Sequence, residues 1–305
     1  MDLRHPELRI ATGDLRDRAS WSPLLAGIGA VFHLAGVRGD PRAHPREMAA
    51  VNVEATLALA RQAGERGVAR FIHVATALIY GPSEDGRART EEDGLDPAAA
   101  LYAGSKAEAV RGIRALAGEG LPAVTVCPSI VFGPDHPSHP NRITSEIRRL
   151  LNGGPRLWIA GGRQVRNLVY VDDVVDGLLA AEARGGVGEE YLLAGEEVSP
   201  REFAGQVLAA ASARGRAGMK ISPRSRLVLS LPGGAALAAA GIVDRLRGPE
   251  AGAGYATAIR NLLREWRFSS AKAGRDLGYR PRPLAAGLAR TIDGLLSGVS
   301  PMEGR

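Results

Sequence analysis

Tyr102 and Lys106 stand four residues apart in Leu101-Tyr102-Ala103-Gly104-Ser105-Lys106, inside a segment from Ala98 to Leu116 that is rich in Ala, Glu and Leu. In a helix that spacing puts both side chains on one face. An ammonium beside a phenol favours the phenolate and draws its pKa down from about 10 toward neutrality. The result is a general acid/base able to exchange a proton with a substrate hydroxyl or carbonyl. The composition makes the pair conspicuous. Of 39 Lys+Arg only Lys106, Lys220 and Lys272 are lysines, and no other tyrosine has a lysine four residues on. A half-exposed helix face without chemistry has the same spacing, so the elements around the pair must decide between the two.

Those elements alternate. Leu8 to Ala11 reads as a short strand, followed by the turn Gly13-Asp14-Leu15-Arg16-Asp17, in which Asp14 or Asp17 can cap a helix. Trp21 to Ile28 reads as helix, Ala30 to Gly36 as a buried strand, Arg46 to Glu65 as a long amphipathic helix and Arg70 to Ala75 as a strand ending at Thr76. A loop over 81–97, the Tyr102 helix and a strand from Pro122 to Val126 follow. Strands separated by helices of this length indicate a parallel sheet with crossover helices. Ligands of such sheets bind beyond the carboxyl ends of the strands. Ala35-Gly36, Thr76 and Cys127-Pro128-Ser129 therefore converge on one crevice, with the Tyr102 helix leading into its third wall.

After about Gly133 the character changes. A loop from Pro134 to Pro140 precedes a helix from Ile143 to Leu151, short strands at Arg156–Ile159 and Asn167–Tyr170, and a helix from Asp172 to Ala183. A strand from Tyr191 to Ala194 and a helix from Pro200 to Ala213 follow. The expected division is a nucleotide-binding domain over 1–133, to which 160–184 returns, and a mainly substrate-binding lobe over 134–305. Leu227 to Val243 is apolar but interrupted by Pro232-Gly233-Gly234, which fits a core or substrate-lining helix better than a membrane span.

The chain has 305 residues, 45% of them hydrophobic and 24% charged, enough for a large core in one α/β domain or a domain plus a lobe. The single cysteine, Cys127, excludes an intramolecular disulfide framework and suits a reducing compartment. The first residues carry no apolar signal-peptide core, so the expected location is cytoplasmic. The net charge of +6 is spread over scattered arginines. It offers mild attraction to anionic small molecules, and neither nucleic acid nor membrane is an expected partner. His136 and His139 flank prolines and lack two further ligands, so no metal site is expected, and His33 reads as a core histidine.

A parallel sheet that binds a dinucleotide ordinarily opens with a strand, a glycine-rich turn and a helix. No such turn follows a strand here, and Gly27-Ile28-Gly29 and Gly161-Gly162 lie in the wrong context. The pattern starts at what would be the third strand. A full first half would add roughly thirty to forty residues. The expected fold class is thus α/β: an N-terminally truncated Rossmann-type parallel sheet with a smaller mixed α/β C-terminal lobe.

Seven motifs occur in order: Gly13-Asp14-Leu15-Arg16-Asp17; Phe32-His33-Leu34-Ala35-Gly36; Asn52-Val53 with Thr56; Val74-Ala75-Thr76 with Tyr80-Gly81; Tyr102 with Lys106; Pro128 with Val131-Phe132-Gly133-Pro134; and Asn167-Leu168-Val169-Tyr170-Val171-Asp172-Asp173-Val174. Together with Phe268-Ser269-Ser270-Ala271-Lys272-Ala273 and Leu277-Gly278-Tyr279-Arg280-Pro281, the chain resembles extended short-chain dehydrogenases/reductases, the NAD-dependent epimerase/dehydratase family. It is most similar to bacterial sugar epimerases and to dihydroflavonol-reductase-like or hydroxysteroid-dehydrogenase-like members.

The resemblance implies roles. Asp14 and Leu15 would meet an adenine, and Ala35 and Gly36 would flank the pyrophosphate and nicotinamide ribose. Thr76 would hydrogen-bond the reacting oxygen. Tyr102 would be the acid/base, and Lys106 would hold the ribose hydroxyls and tune Tyr102. Pro128, Ser129 and Ile130 would present backbone to the nicotinamide amide, Asn52 would lie near the site, and Arg166 would meet a substrate phosphate. The plainer alternatives are a helix cap for Asp14, backbone bonding across a helix bend for Asn52, and pairing with Asp172 or Asp173 for Arg166. The cofactor implied is NAD or NADP, because the residue that senses the ribose 2′ position belongs to a strand this sequence does not show. A homodimer through the Tyr102 and Arg46 helices is the implied assembly.

Departures narrow the activity. Ala55 stands where the family usually has glycine, and Cys127 where many members have arginine. Ala77-Leu78 follow Thr76, where family dehydratases carry Asp-Glu and the related decarboxylases a glutamate at the second position, so elimination and decarboxylation are disfavoured. The expected function is an oxidoreductase or epimerase acting at a secondary hydroxyl or ketone of a nucleotide sugar. A reductase of a dihydroflavonol-, steroid- or lipid-like substrate and a non-catalytic scaffold or sensor are the alternatives.

Overall fold

The computed structural model describes residues 7–38, 44–96, 101–134, 141–214, 228–247 and 254–297. The first turn of helix, α1 (Arg18–Trp21), is capped by Asp17, whose side chain accepts from the Ala19 amide. Pro23 then tightens the chain into a 3-10 turn over Ser22–Leu25, so the helix expected to run to Ile28 is two short pieces ending before Gly27. Strand β1 (Ala30–His33) leads to α2 (Pro45–Met48), a π-helical segment over Ala49–Ala55, and α3 (Thr56–Glu65). The long helix expected over Arg46–Glu65 is therefore interrupted by a π turn. The Thr56 hydroxyl donates to the Val51 carbonyl five residues back, which is π spacing.

Strand β2 (Arg70–Val74), helix α4 (Leu101–Gly118) and strand β3 (Ala123–Pro128) follow. Ala103, Ala107, Val110 and Ile113 recur along α4 every three or four residues and are buried. Ile113 and Leu116 pack with Leu59 and Phe71, a burial of about 1.5–3 kcal/mol for each large side chain. Beyond β3 come β4 (Ile130–Phe132), α5 (Arg142–Leu151), β5 (Arg156–Ile159), β6 (Arg166–Tyr170), α6 (Val171–Arg184), β7 (Glu190–Leu193), β8 (Glu196–Val198) and α7 (Pro200–Ala213). The chain closes with β9 (Val228–Leu231), α8 (Gly233–Arg247), α9 (Tyr255–Leu262), α10 (Ala271–Asp276) and α11 (Leu284–Ser297).

The strands form three sheets. The main one has the order β1-β2-β3-β7 and is parallel throughout. Helices α3 and α4 cover one face, and α6 packs on the other over Ile72, Val124 and Val126. A second sheet joins β4, β6 and β8, and a third pairs β5 with β9. The second sheet packs with α5, α7 and α11 around Phe132, Ile147, Phe203 and Leu288. The turn from β7 into β8 lies tightly against β6 at Gly195, where a Cβ would sit 2.0 Å from the Leu168 carbonyl oxygen.

Three further sequence expectations change. Leu8–Ala11 forms no ladder among the described residues, because a strand needs a neighbour and none pairs with it. The strand expected over Ala30–Gly36 ends at His33, and Phe32 and Leu34 are exposed rather than buried. The apolar 227–243 stretch divides into β9 and α8 at Pro232, with Leu227 outside the described residues. No helix among the described residues is long and apolar enough to cross a membrane. Ala98–Ala100, His136, His139, Lys220 and Arg224 also lie outside them.

Candidate active site

The carboxyl ends of β1, β2 and β3 gather the functional side chains. Leu34, Ala35 and Gly36 leave β1 exposed, as an opening for a ligand requires. Lys106, on the second turn of α4, is buried and donates from Nζ to the Val74 carbonyl at 3.1 Å, at the end of β2. A Cβ on Gly36 would lie 3.0 Å from Asn52 Oδ1 and 3.1 Å from Lys106 Nζ. The β1 end, the π segment and α4 thus converge within van der Waals distance.

Asn52 is fully buried and uses the π turn to face inward. Its Oδ1 accepts from the Val37 amide at 2.7 Å, and its Nδ2 donates to the Val37 carbonyl at 3.1 Å and to Ser105 Oγ at 3.0 Å. Ser105 in turn donates to the Tyr102 carbonyl at 2.8 Å. The loop after Gly36 and the first turn of α4 are thereby fastened to one amide. The plainer expectation for Asn52, bonding across its own helix bend, gives way to this bridge. Ser105 and Val37 were not singled out from sequence; a small polar residue on the buried face of α4 is the available signal.

Thr76 caps the 3-10 turn Ala77–Tyr80, its Oγ1 accepting from the Leu78 amide at 3.4 Å. The hydroxyl proton remains for an oxygen in the crevice. Burial pushes the Tyr102 phenol up from its ordinary value, and the cation that pulls it down is Arg38. The sequence expectation placed that influence on Lys106. Its ammonium instead donates to the Val74 carbonyl. Without ligand, Tyr102 therefore rests as a protonated phenol, ready to donate.

Burial lowers the Lys106 ammonium from 10.5 to about 8. Between about pH 8 and 10.5 the unfolded chain holds a proton there that the folded chain has lost, so stability rises with pH across that window. We expect wild type to gain about 2 kcal/mol relative to Lys106→Met between pH 8 and 10. Chemical denaturation of both proteins across that range measures it, and parallel curves would show an unburied lysine.

Ser129 donates its backbone amide to Leu193, and its Oγ is buried without a partner. Pro128 is buried, and Ile130 half-buried. Arg166, on β6, donates from Nη2 to the Leu262 carbonyl at 2.9 Å, while Nε is buried without a partner. Burial, then Arg142, lowers it to about 10. The carboxylates weighed as its partners are taken elsewhere: Arg282 pairs with both Asp172 and Asp173. Asp14 is exposed and clasped by Arg16, whose side-chain bonds hold its carboxyl down at about 2. Leu15 accepts at its carbonyl from the Trp21 indole at 2.8 Å. Beneath the crevice His33 bonds Thr56 at 2.9 Å and stacks on His73. Burial, then Lys106, lowers His33 to about 4, as fits a neutral core histidine.

A parallel sheet flanked by crossover helices, with its polar cluster at the strand ends, is a Rossmann-type α/β architecture. The model of the NAD dependent epimerase/dehydratase family matches residues 2–194, and the chain belongs to that family of NAD-dependent enzymes. It is 35% identical over 217 residues to a dTDP-glucose 4,6-dehydratase of Streptomyces griseus, covering 68% of this chain and 64% of that protein. It is 29% identical over 279 residues to 4-hydroxy-2-methyl-3-oxo-4-farnesyl-3,4-dihydroquinoline-1-oxide ketoreductase of Stigmatella aurantiaca, covering 88% of this chain and 78% of that one. The crystal structure of the dTDP-glucose 4,6-dehydratase DesIV of Streptomyces venezuelae, with NAD bound, superposes with a TM-score of 0.73 at 28% identity, covering 96% of this chain and 81% of that chain.

Proposed function

We propose that this protein is an NAD(P)-dependent oxidoreductase or epimerase acting at a secondary hydroxyl or ketone of a nucleotide sugar, with Tyr102 as acid/base. The observation that carries the reading is the meeting of Lys106 Nζ and Asn52 Oδ1 at Gly36, beside the strand ends that bear Thr76 and Ser129. The cradle fits a nicotinamide ribose, because it offers a cation beside a glycine whose Cβ would press on Asn52 Oδ1 and Lys106 Nζ. Lys106 would hold the ribose hydroxyls, Ala35 and Gly36 would let the dinucleotide approach, and Pro128, Ser129 and Ile130 would line the nicotinamide amide. Asp14 and Leu15 would meet the adenine if Asp14 shares its carboxylate with Arg16. NAD or NADP, when bound, supplies the hydride acceptor or donor.

This chain's own residues handle the proton. Thr76 would hold the reacting oxygen, and Tyr102 would give or take its proton, with Arg38 easing the negative charge left on the phenol. Arg166, with Nε free and a lowered but still cationic guanidinium, would take a substrate phosphate. Leu78 has no ionisable group to move a second proton, so the dehydration named for several relatives is not transferred to this chain.

A second reading has its own support. Leu229, Leu231, Ile242 and Val243 are exposed on β9 and α8 of the smaller lobe, a surface that suits reduction of a lipid-like ketone. Nicotinamide absorbance, followed while nucleotide sugars and apolar hydroxy- or ketocompounds are added to protein and cofactor, separates the two. A spectral change with sugars supports the first reading, and one with apolar ketones alone the second. Bound cofactor that stays spectrally silent with every carbinol and ketone would remove both.

A further inference from the structure

Strand β7 is buried along its whole length, yet it opens with a carboxylate. Glu190 is 6% exposed, and a carboxylate taken that far out of water needs partners. It has one on each oxygen. Oε1 accepts from Arg114 Nε at 3.1 Å, and Oε2 accepts from the Tyr80 hydroxyl at 2.6 Å. Cys127 Sγ lies 3.9 Å from the same hydroxyl. Burial, then the neighbouring thiol and carboxylate, hold the Tyr80 phenol well above its ordinary value, so it stays a donor to Glu190.

These two partners end the two elements that carry the candidate site. On α4, Tyr102, Lys106, Val110 and Arg114 follow one another at four-residue spacing, along one stripe of the helix. Lys106 meets the end of β2, Val110 shares a buried cluster with Tyr80 and Cys127, and Arg114 closes the stripe on Glu190. The 3-10 turn Ala77–Tyr80 is built alike: Thr76 caps it at the crevice, and Tyr80 ends it on Glu190. The turn's own bonds are long, 3.3 Å from the Ile79 amide to the Thr76 carbonyl and 3.2 Å from the Gly81 amide to the Leu78 carbonyl. Alone they fix it loosely.

Stability does not account for the carboxylate. Apolar side chains in place of a buried ion pair commonly hold a fold as well or better, because charges cost desolvation. What hydrogen bonds to a shared carboxylate add is direction. We infer that Glu190 is a positioning residue of the proposed active site, the common anchor that fixes the Thr76 turn and the Tyr102–Lys106 helix relative to each other. The inference rests on the reading in which Thr76 holds the reacting oxygen and Tyr102 moves its proton. Glu190 acts through Tyr80 and Arg114 and touches neither reactant, since Arg114 stands about 12 Å along the helix axis from Lys106.

Tyr80→Phe and Arg114→Ala each cut one tie. Both variants are expected to fold, because Phe keeps the ring in the core and the Arg114 side chain is 55% exposed. With NAD and the sugar or ketone that moves the nicotinamide absorbance, each should lower kcat by about tenfold to a hundredfold while KM and NAD affinity stay within about twofold. The double variant should lose little more than the worse single one, because an anchor needs both ties. Arg114→Lys, which keeps a cationic donor, should recover most of the rate. Lower melting midpoints with wild-type kcat would make the cluster a structural pair and overturn the proposal, as would losses that simply add in the double variant. If no compound moves the absorbance, the oxidoreductase reading falls on that result, and amide exchange decides the anchor. The Ile79 and Gly81 amides should then exchange about tenfold faster in both single variants. Unchanged exchange in either would overturn it.

Discussion

Tyr102→Phe is expected to lower kcat by about 10²–10⁴-fold while leaving folding and cofactor affinity near wild type. The substitution removes only the phenolic oxygen. The Tyr102 carbonyl still accepts from Ser105, so the Asn52 bridge stays in place. Lys106 keeps its bond to Val74 and its approach to Gly36, so the cofactor cradle is untouched. What is lost is the group that burial keeps protonated beside Arg38. Steady-state rates and cofactor titration of the two proteins separate the effects. Equal rates would take Tyr102 out of the chemistry, whereas a loss confined to KM would make it a binding group. Rescue of neither parameter by Arg38→Lys in the Phe background would follow, because a cation has nothing there to stabilise.

Gly195→Ala is expected to destabilise the fold by about 3 kcal/mol, at the upper end of ordinary overpacking. A Cβ at Gly195 would fall 2.0 Å from the Leu168 oxygen, 2.8 Å from its carbonyl carbon and 2.9 Å from Val169 Cα. All three are backbone atoms of β6, so no side chain can swing aside. The Gly195 carbonyl also accepts from Asn167 Nδ2 at 2.7 Å, which ties the same seam. Relief would have to move the β7–β8 turn off β6. The melting midpoint should fall by roughly 5–10 °C. Gly205→Ala is the control, since a Cβ there meets nothing within 4 Å and the residue lies inside α7. That change should stabilise by about 0.5–1 kcal/mol. Equal midpoints for the two variants would mean the β7–β8 turn is not packed on β6 at Gly195.

The sequence was most legible where periodicity and burial agree. The buried stripe of α4 and the wholly buried strand β3 read directly from their residues. Lys106, Thr76 and Gly36 stand at strand ends and helix turns, where spacing alone predicts convergence. The influence of Arg38 on the Tyr102 phenol was not legible, because no periodic pattern encodes it. Ser105 escaped notice for a similar reason, its role being set by an amide 53 residues away. Leu8–Ala11 has the composition of a strand, but a ladder is a property of two segments, and among the described residues none pairs with it. The Arg46–Glu65 stretch is amphipathic throughout, and propensity does not distinguish an α from a π turn.

That π turn has an evolutionary consequence. Each residue of an α-helix advances about 100° around the axis, so the surplus residue at Ala49–Ala55 is a register shift built into the chain. A point substitution can weaken it but not erase it. Deleting one residue would straighten the helix and rotate α2 by about a quarter-turn against α3, carrying Asn52 off the Val37 backbone. Homologues that keep the asparagine bridge should therefore tolerate many side-chain changes between Pro45 and Glu65, yet keep the number of residues between them fixed.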